Sequence, residues 1–427
     1  MSDKWGFNTK SVQGGWQPKA GEPRVLPIYQ STTYKQDDPD FVADLFDLKE
    51  NGFFYTRLAN PTLSAFEEKI SLLEGGVGAV STSSGQAAIM YALLNICQAG
   101  EHIVTASTLY GGTHTLMAST FKKFGVEVTF VDPDLDAEEI KKHFKPETKA
   151  LYGETIGNPR LNVLDFKKFS KIAEEMKVPL IVDNTFPTPY LCRPLEHGAN
   201  IVVHSATKYI DGQATSLGGV IVDGGNFNWN NGKFPELSEP DPSYHGLKYW
   251  ETFGNQAYIV KARVQLLRDM GSVLSPFNAF LLNLGTETLS LRMAKHSENT
   301  LKLAEYLNNH DKVEWVWYPL LKNHPSYELA KRYLPLGASG MLSFGIKGGN
   351  QAGKKFISNV ELASLVVHLG DARTSVIHPA STTHRQLTKA EQEASGVAED
   401  LIRVSVGIED IEDIIADFEQ ALNKAVG

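Results

Sequence analysis

The chain of 427 residues exceeds the size at which one hydrophobic core stops growing, so two or three cores are expected. Apolar residues make up 42% and charged residues 21%, a composition that excludes a disordered or fibrous chain. The net charge of −9 argues against nucleic acid as a partner, because neutralising phosphates requires clustered Lys and Arg.

The first residues and the cysteines indicate a cellular compartment. Met1-Ser2-Asp3-Lys4-Trp5 lacks the charged-then-apolar order of a secretory signal, and no run of about 18 apolar residues could span a bilayer. Cys97 and Cys192 are too few for a disulfide framework and lie in apolar surroundings. We therefore expect a cytoplasmic protein without a membrane partner.

The N-terminal segment, residues 1–62, is rich in Gly, Pro and Thr and shows little periodicity. Such a composition favours an extended arm over a core element. An arm of this kind commonly reaches a neighbouring subunit.

Helical stretches alternate with short apolar runs from residue 63 to about residue 223. The apolar runs are residues 78–80, 102–104, 126–131, 150–152, 180–182 and 201–203. Continuous apolar runs between helices are typical of strands buried on both faces of a parallel sheet. The pattern predicts a mostly parallel α/β domain, which we place at residues 63–255.

The pattern of predicted helices and strands changes after about residue 240. Long helical stretches over 258–270 and 279–307 are followed by strand-like runs at 313–317, 341–346 and 401–406. This mixture predicts a smaller C-terminal α+β domain over residues 256–427.

Lys208 follows the apolar run 201–203, within the segment IVVHSATKYIDGQATSLGGV. Desolvation behind a buried strand lowers the pKa of a lysine, which an imine-forming amine needs. The flanking hydroxyl groups of Ser205 and Thr207 are suited to holding a phosphate. The alternative is a lysine that is merely solvated in a loop.

Asp183 ends the run 179–182, at the carboxyl end of a predicted parallel strand, where open α/β sheets bind ligands. An acid there is suited to pairing with the ring nitrogen of pyridoxal 5′-phosphate (PLP), so that the ring can accept electrons. The alternative is an aspartate that caps the following turn.

Three further strand ends carry polar or aromatic groups. Ser84, Gly85 and Gln86 open an apolar helix, where small residues and the helix dipole favour an anion, although Ser is also an ordinary N-cap. Tyr110 places an aromatic face after the predicted strand at 102–104, and Asn158 places an amide after the one at 150–152. Five strand ends are thus expected to converge on one crevice.

Six segments together resemble the family of Cys/Met-metabolism PLP-dependent enzymes, over essentially the whole chain. They are residues 55–62, 83–87, 193–209, 274–296, 378–384 and 401–409. The resemblance implies an α/β PLP-dependent transferase of fold type I, the aspartate aminotransferase-like architecture, with a mostly parallel central sheet. It also implies PLP as the cofactor.

The resemblance assigns a role to each candidate residue that would hold the cofactor. Lys208 would carry PLP as a Schiff base, Asp183 would pair with the pyridine nitrogen, Tyr110 would stack on the ring and take part in catalysis, and Asn158 would meet the ring hydroxyl. The phosphate would be surrounded by Ser84, Gly85, Gln86, Ser205 and Thr207.

The resemblance also implies a shared site and a substrate clamp. Tyr55 and Arg57 would reach the phosphate of the neighbouring subunit, which makes a homotetramer built from two such dimers the expected assembly. Arg403 would clamp the substrate carboxylate with a bidentate pair. Thr374 and Tyr110 would complete the substrate-binding set.

One departure from the family narrows the reaction. Arg373 stands where cystathionine synthases and lyases typically carry Glu, and a basic residue there resembles the sulfhydrylase branch. That branch implies γ-replacement on O-acetyl-L-homoserine, with sulfide or methanethiol giving L-homocysteine or L-methionine and acetate. The alternatives are cystathionine γ-synthase or methionine γ-lyase activity, and an Arg373 that simply faces solvent.

Other kinds of site are weaker predictions. Residues 348–355 match the spacing of a P-loop, but Lys355 stands where Ser or Thr must meet Mg²⁺, so we expect a surface turn before an amphipathic helix. A dinucleotide-binding oxidoreductase would need G-x-G-x-x-G after the first strand, which is missing. His197 and His204 lack partners at metal-ligand spacing, so no metal site is expected.

Overall fold

The computed structural model describes residues 4–382, residue 385 and residues 398–426. Within them the strands are β1 (Gly78–Thr82), β2 (His102–Ala106), β3 (Glu127–Val131), β4 (Thr148–Glu154), β5 (Leu180–Asp183), β6 (Ile201–Ser205), β7 (Gly219–Asp223), β8 (Val313–Trp317), β9 (Met341–Ile346), β10 (Ser364–Leu365), β11 (Ser375–Ile377) and β12 (Leu401–Ser405). Thr383 and His384 of the family resemblance lie outside the described residues, as do positions 386–397 and 427 of the predicted C-terminal domain.

The helices of the described chain cover both sheets. They are α1 (Phe7–Gln13), α2 (Pro39–Phe46), α3 (Pro61–Glu74), α4 (Gly85–Leu94), α5 (Gly111–Thr115), α6 (Phe121–Lys123), α7 (Ala137–Lys141), α8 (Phe166–Glu175), α9 (Thr188–Leu191), α10 (Pro235–Ser238), α11 (Tyr249–Phe253), α12 (Ala257–Lys261), α13 (Arg268–Met270), α14 (Pro276–Glu287), α15 (Leu289–Asn308), α16 (Tyr327–Tyr333), α17 (Gly349–Asn359) and α18 (Ile411–Ala425). None of the helices searched is long and apolar enough to cross a membrane, a finding confined to the described residues.

The first sheet has the strand order β1-β7-β6-β5-β4-β2-β3 among the described residues. Strands β2 to β6 pair in parallel, and every residue of β4 and β5 is buried, as expected of strands covered on both faces. All six predicted apolar runs lie on strands, apart from Val126, which immediately precedes β3. The prediction of a mostly parallel central sheet is confirmed.

Strand β7 was missed in the sequence and runs antiparallel to both β1 and β6. Its apolar residues are flanked by Gly218 and Gly219, which resemble a loop. The structure gives a packing reason for the second glycine, because a Cβ on Gly219 would collide with the Ser84 carbonyl. Inserting β7 lets β1 run parallel to β6 at the edge of the sheet.

The second sheet has the order β10-β11-β12-β9-β8 and is largely antiparallel, with β12 in the middle. The predicted strands 313–317 and 341–346 coincide with β8 and β9. The predicted helix 279–307 is two helices, α14 and α15, which are separated at Thr288. As predicted, a turn at Gly348 leads into helix α17.

The N-terminal segment contains helices that its composition did not predict. Helix α2 begins after Asp38, whose side chain accepts a hydrogen bond from the Asp40 N–H, with Pro39 in the first turn. This is a helix-start signal that the sequence carries openly. The remainder of the segment is mostly exposed and irregular. The domain boundaries near residues 62 and 255 stay predictions.

Candidate active site

Lys208 lies in the turn that follows β6, at the carboxyl edge of the parallel strands. Its N–H donates to the Ser205 carbonyl at 3.2 Å, and its own carbonyl accepts from Gly212 at 2.8 Å. Burial lowers the pKa of Lys208, the nearby Arg403 lowers it further, and Asp183 opposes both effects. The structure therefore brings a desolvated amine, a carboxylate and a guanidinium together at one edge of the sheet.

Asp183 is the last residue of β5 and is buried beside β6. Its Oδ1 accepts a hydrogen bond of 2.9 Å from the Thr185 N–H. Burial raises the pKa of Asp183, whereas hydrogen bonds from Thr185 and the charges of His204 and Lys208 lower it. A buried acid held in this way is suited to pairing with a protonated ring nitrogen.

The start of α4 forms a cradle of the size and chemistry that a phosphate needs. The Ser84 hydroxyl oxygen caps the helix by accepting from Ala87 at 3.2 Å, and the first N–H groups of a helix have no intrahelical partner. A Cβ added at Gly85 would lie 2.5 Å from the Ser205 Cβ. Any side chain at that position would therefore fill the space between the helix start and the Lys208 turn.

The side chains of Thr207, in the Lys208 turn, and of Gln86, in the first turn of α4, border this cradle. The Thr207 hydroxyl donates to the Gly218 carbonyl at 3.1 Å and accepts from its N–H at 3.0 Å. The Gln86 amide donates to the Gly112 carbonyl at 3.0 Å. The donor set consists of backbone N–H groups and hydroxyls, so it fits a phosphate monoester.

Tyr110 is held at the start of α5 by a residue that the sequence reasoning missed. Its N–H donates to Glu154 Oε1 at 2.7 Å, the residue is 52% exposed, and its ring packs against Gly112. Burial and the adjacent Asp183 raise the pKa of Glu154 well above its ordinary value. Glu154 pairs in register with Asp183, so the strand-end rule that located Asp183 applies equally to Glu154.

Asn158 lies in the loop after β4 and is buried. In the part of the chain that the structure describes, no hydrogen bond engages its side-chain amide. An amide that is buried and unpaired at a strand end is available to a ligand.

Arg403 approaches the site from the middle strand of the second sheet, where it is paired with Ile377 and Ser343. Burial lowers the pKa of its guanidinium, and Tyr110 and Tyr209 oppose that effect. Among the described residues, no carboxylate or carbonyl accepts a hydrogen bond from the guanidinium. Arg403 is partly buried, and a guanidinium in such a position with no acceptor among these residues is poised to bind an anion.

Thr374 and Arg373 immediately precede β11, the strand that pairs with β12, but both are engaged within the fold. The Thr374 hydroxyl donates to Glu409 Oε2 at 2.9 Å and accepts from the Gly407 N–H at 2.9 Å. Arg373 is exposed, with an ion pair of 2.9 Å to Asp371 and a hydrogen bond of 3.1 Å to the Gln213 carbonyl. Arg373 therefore faces solvent and also anchors the loop that follows Lys208.

Tyr55 and Arg57 are set apart from the other predicted residues. The Arg57 guanidinium lies 5.3 Å from the centre of the Tyr55 ring and donates to the Arg268 carbonyl at 2.7 Å. Within the described residues, neither side chain bonds to the Lys208 turn or to the start of α4. Their predicted role concerns a neighbouring subunit.

Comparison with known proteins places these residues in a family context. Residues 8–423 match the family described as "Cys/Met metabolism PLP-dependent enzyme". The chain is 52% identical over 424 residues to an O-acetyl-L-homoserine sulfhydrylase of Leptospira meyeri, covering 97% of this chain and 96% of that one. It is 49% identical over 423 residues to a homocysteine synthase of Schizosaccharomyces pombe, covering 98% of each.

A solved structure extends the comparison to the fold. A crystal structure of a putative O-acetylhomoserine (thiol)-lyase from Campylobacter jejuni superimposes with a TM-score of 0.95 at 37% identity, covering 98% of this chain and all of that one. That protein carries N′-pyridoxyl-lysine-5′-monophosphate.

Proposed function

The chain belongs to the Cys/Met metabolism PLP-dependent enzymes, and from that premise we propose that it exchanges the acetate of O-acetyl-L-homoserine for sulfide, giving L-homocysteine. Methanethiol in place of sulfide gives L-methionine. The observation that carries the proposal is the partly buried Arg403 guanidinium, which donates to no carboxylate or carbonyl among the described residues and lies near the desolvated Lys208, an arrangement that suits an amino acid as substrate. The choice of O-acetyl-L-homoserine as the ester rests on the similarity to O-acetyl-L-homoserine sulfhydrylases.

The residues at the sheet edge fit PLP, and we assign each a contact with it. Lys208 holds it covalently, Asp183 meets the ring nitrogen, Tyr110 covers a ring face and Asn158 meets the ring hydroxyl. The phosphate contacts are Ser84, Gly85, Gln86, Ser205 and Thr207. When bound, PLP withdraws electrons from the substrate Cα and so allows a group on Cγ to leave.

The protein's own groups account for binding and proton movement. Arg403 binds the α-carboxylate in a bidentate pair, with Thr374 beside it. Lys208 would move protons at Cα and Cβ of the substrate, and its lowered pKa favours the unprotonated amine that can accept them. Acetate leaves from Cγ with the C–O bonding electrons, hydrosulfide forms the new C–S bond there, and one proton each returns to Cβ and to Cα.

The assembly and location belong to the same proposal. Tyr55 and Arg57, on the N-terminal arm, complete the phosphate site of a neighbouring subunit in a cytoplasmic homotetramer. The exposure of the arm and of the Phe277, Leu284 and Leu291 side chains supports contact with a partner subunit.

Steady-state rates test the reaction. Purified enzyme is assayed with O-acetyl- and O-succinyl-L-homoserine, each with sulfide, methanethiol and cysteine. We expect the highest kcat/KM for O-acetyl-L-homoserine with sulfide or methanethiol, with stoichiometric acetate. A higher kcat/KM with cysteine, giving cystathionine, would overturn the proposal in favour of a cystathionine synthase.

A further inference from the structure

A fully buried polar cluster lies behind Asp183, on the other face of the first sheet. His204 Nε2 is 2.6 Å from Glu74 Oε1, and both side chains are 0% exposed. The Asn184 amide donates to the same oxygen at 3.0 Å. Because Glu74 Oε1 accepts from Asn184, it is the acceptor in the pair with His204, and Nε2 is the donor.

The cluster is attached to the backbone on either side of Asp183. The Asn184 amide also donates to the Cys192 carbonyl at 2.8 Å, and its oxygen accepts from the Thr155 hydroxyl at 2.8 Å. Thr155 in turn donates its N–H to the Asp183 carbonyl at 2.9 Å. Asn184 is thus held by three side-chain contacts, and the peptide that carries Asp183 cannot rotate without breaking them.

Alternation along the strands separates the two faces. Successive side chains of a strand point to opposite faces, so Asn184 and His204 share the face of Val182 and Val202, whereas Asp183 shares the face of Ile181. Helix α3, which ends at Glu74, covers the first of these faces. The cluster therefore supports Asp183 from behind and touches neither the cradle nor the Lys208 turn.

We propose that Glu74 is a positioning residue for the cofactor: through His204 and Asn184 it holds the Asp183 carboxylate against the ring nitrogen. The proposal rests on the proposed role of Asp183. Both hydrogen bonds of the cluster to Glu74 end on Oε1, whereas Glu74 Oε2 and His204 Nδ1 have no hydrogen-bond partner among the described residues. Removal of one shared acceptor therefore breaks both bonds at once. Glu74 is that shared acceptor.

Other ionisable groups surround the two ends of the network. Lys208, Glu154 and Tyr152 face Asp183, and their charges act on it or are acted on by it. Cys192 faces Glu74, whose charge raises the pKa of its thiol together with burial. None of these groups bonds to Glu74 among the described residues, so a change at Glu74 reaches Asp183 through Asn184 and His204.

The test uses the full-length holoenzyme and two properties of the bound cofactor, its dissociation constant and the pH midpoint of its visible absorbance band. Glu74→Leu removes the acceptor at similar volume and should weaken PLP binding by about tenfold. The midpoint should rise by about 0.5 pH unit or more, because a poorly paired ring withdraws fewer electrons and the nitrogen bonded to Lys208 then holds its proton more tightly.

Three variants serve as controls. Glu74→Gln keeps the acceptor oxygen and should return both properties to the parent values. Asp223→Leu removes another buried carboxylate, which lies at the amino ends of β1 and β6 and so at the other end of the strands from Lys208, and should leave both properties unchanged even where it lowers stability. Thr155→Val breaks only the bond to Asn184, and should move the midpoint in the same direction by less.

The outcomes separate this proposal from the proposed function. Parent-like values in Glu74→Leu, or in Thr155→Val where Glu74→Leu does not fold, overturn the positioning role. If Asp183→Asn shifts both properties in that case, the role of Asp183 itself stands. Parent-like values in Asp183→Asn would remove that role, and the role of Glu74 with it.

Discussion

The backbone N–H of Tyr110 donates a 2.7 Å hydrogen bond to the carboxyl group of Glu154, two residues that are 44 positions apart. The bond joins the carboxyl end of β4 to the start of α5 and fixes where the exposed tyrosine ring lies. Glu154 is also buried beside Asp183. Its carboxyl group therefore positions the Tyr110 ring and at the same time interacts with the charge of Asp183.

Glu154 should make the stability of the cofactor-free protein depend on pH. Its pKa is raised in the folded state, so its contribution is fully present below the ordinary carboxyl pKa and is lost as the pH rises through the raised value. The side chain of Glu154→Gln is neutral at every pH. The Tm of this variant minus the Tm of the parent should therefore increase by about 2 °C or more when the pH is raised from about 5 to about 8. Thermal unfolding at both pH values is the measurement, and a constant difference would contradict the expectation.

Lys208 should be the single lysine that borohydride links to the cofactor. Lys261 provides a matched comparison, because burial lowers its pKa to about 8 although it lies on α12, bonded to Asn95. Peptide mapping after reduction should find the label on Lys208 and none on Lys261. Lys208→Ala should lose both label and turnover, whereas Lys261→Met should keep both. Normal turnover in Lys208→Ala would refute the assigned chemistry.

Arg403→Lys keeps the positive charge but loses the two-pronged geometry of the guanidinium. We expect substrate binding to weaken by about 1.5–3 kcal/mol, a roughly 10- to 100-fold rise in KM for O-acetylhomoserine, with PLP still bound. Arg373→Lys is the control and should change KM little, since Arg373 is exposed and already paired with Asp371. If the two variants exchange these phenotypes, Arg373 holds the carboxylate.

A PLP site that is shared between subunits can be detected in hybrid oligomers of two defective variants, because one site of each hybrid dimer regains both native residues. Arg57→Ala and Lys208→Ala are co-expressed with different tags, and the hybrid oligomer is isolated. If Arg57 serves the neighbour, one site of each hybrid dimer contains both native residues, and its PLP affinity should equal that of the parent. Hybrids whose PLP affinity stays at the Arg57→Ala level would show that Arg57 acts within its own subunit.

Strand ends explain how much of the site the sequence could predict. Buried apolar runs mark where parallel strands stop, so Asp183 and Lys208 could be located from pattern alone, and the fold class with them. The same rule also applies to Glu154 at the end of β4. It was not predicted as a site residue because the cofactor contact in that segment was assigned to Asn158. Strand β7 escaped because its glycines, placed for close packing on Ser84, resemble a loop.

Other features depend on contacts that no local pattern reports. The Arg403 guanidinium has no hydrogen-bond acceptor among the described residues, and this depends on which side chains of both sheets surround it. The Thr374 hydroxyl was predicted to meet the substrate, but whether it is free depends on Glu409, 35 residues further along. The cluster around Glu74 joins residues 110 and 130 positions apart, a separation at which hydrophobic periodicity carries no information.

The two anchors of the proposed substrate belong to different sheets: Lys208 follows β6 of the first, and Arg403 lies on β12 of the second. An amino acid that contacts both Lys208 and Arg403 therefore links the two sheets. Its binding free energy also stabilises the packing of one sheet against the other. Saturation with an unreactive analogue should slow hydrogen–deuterium exchange in β11 and β12 as well as around Lys208. Protease resistance of the C-terminal layer should rise with the same saturation curve.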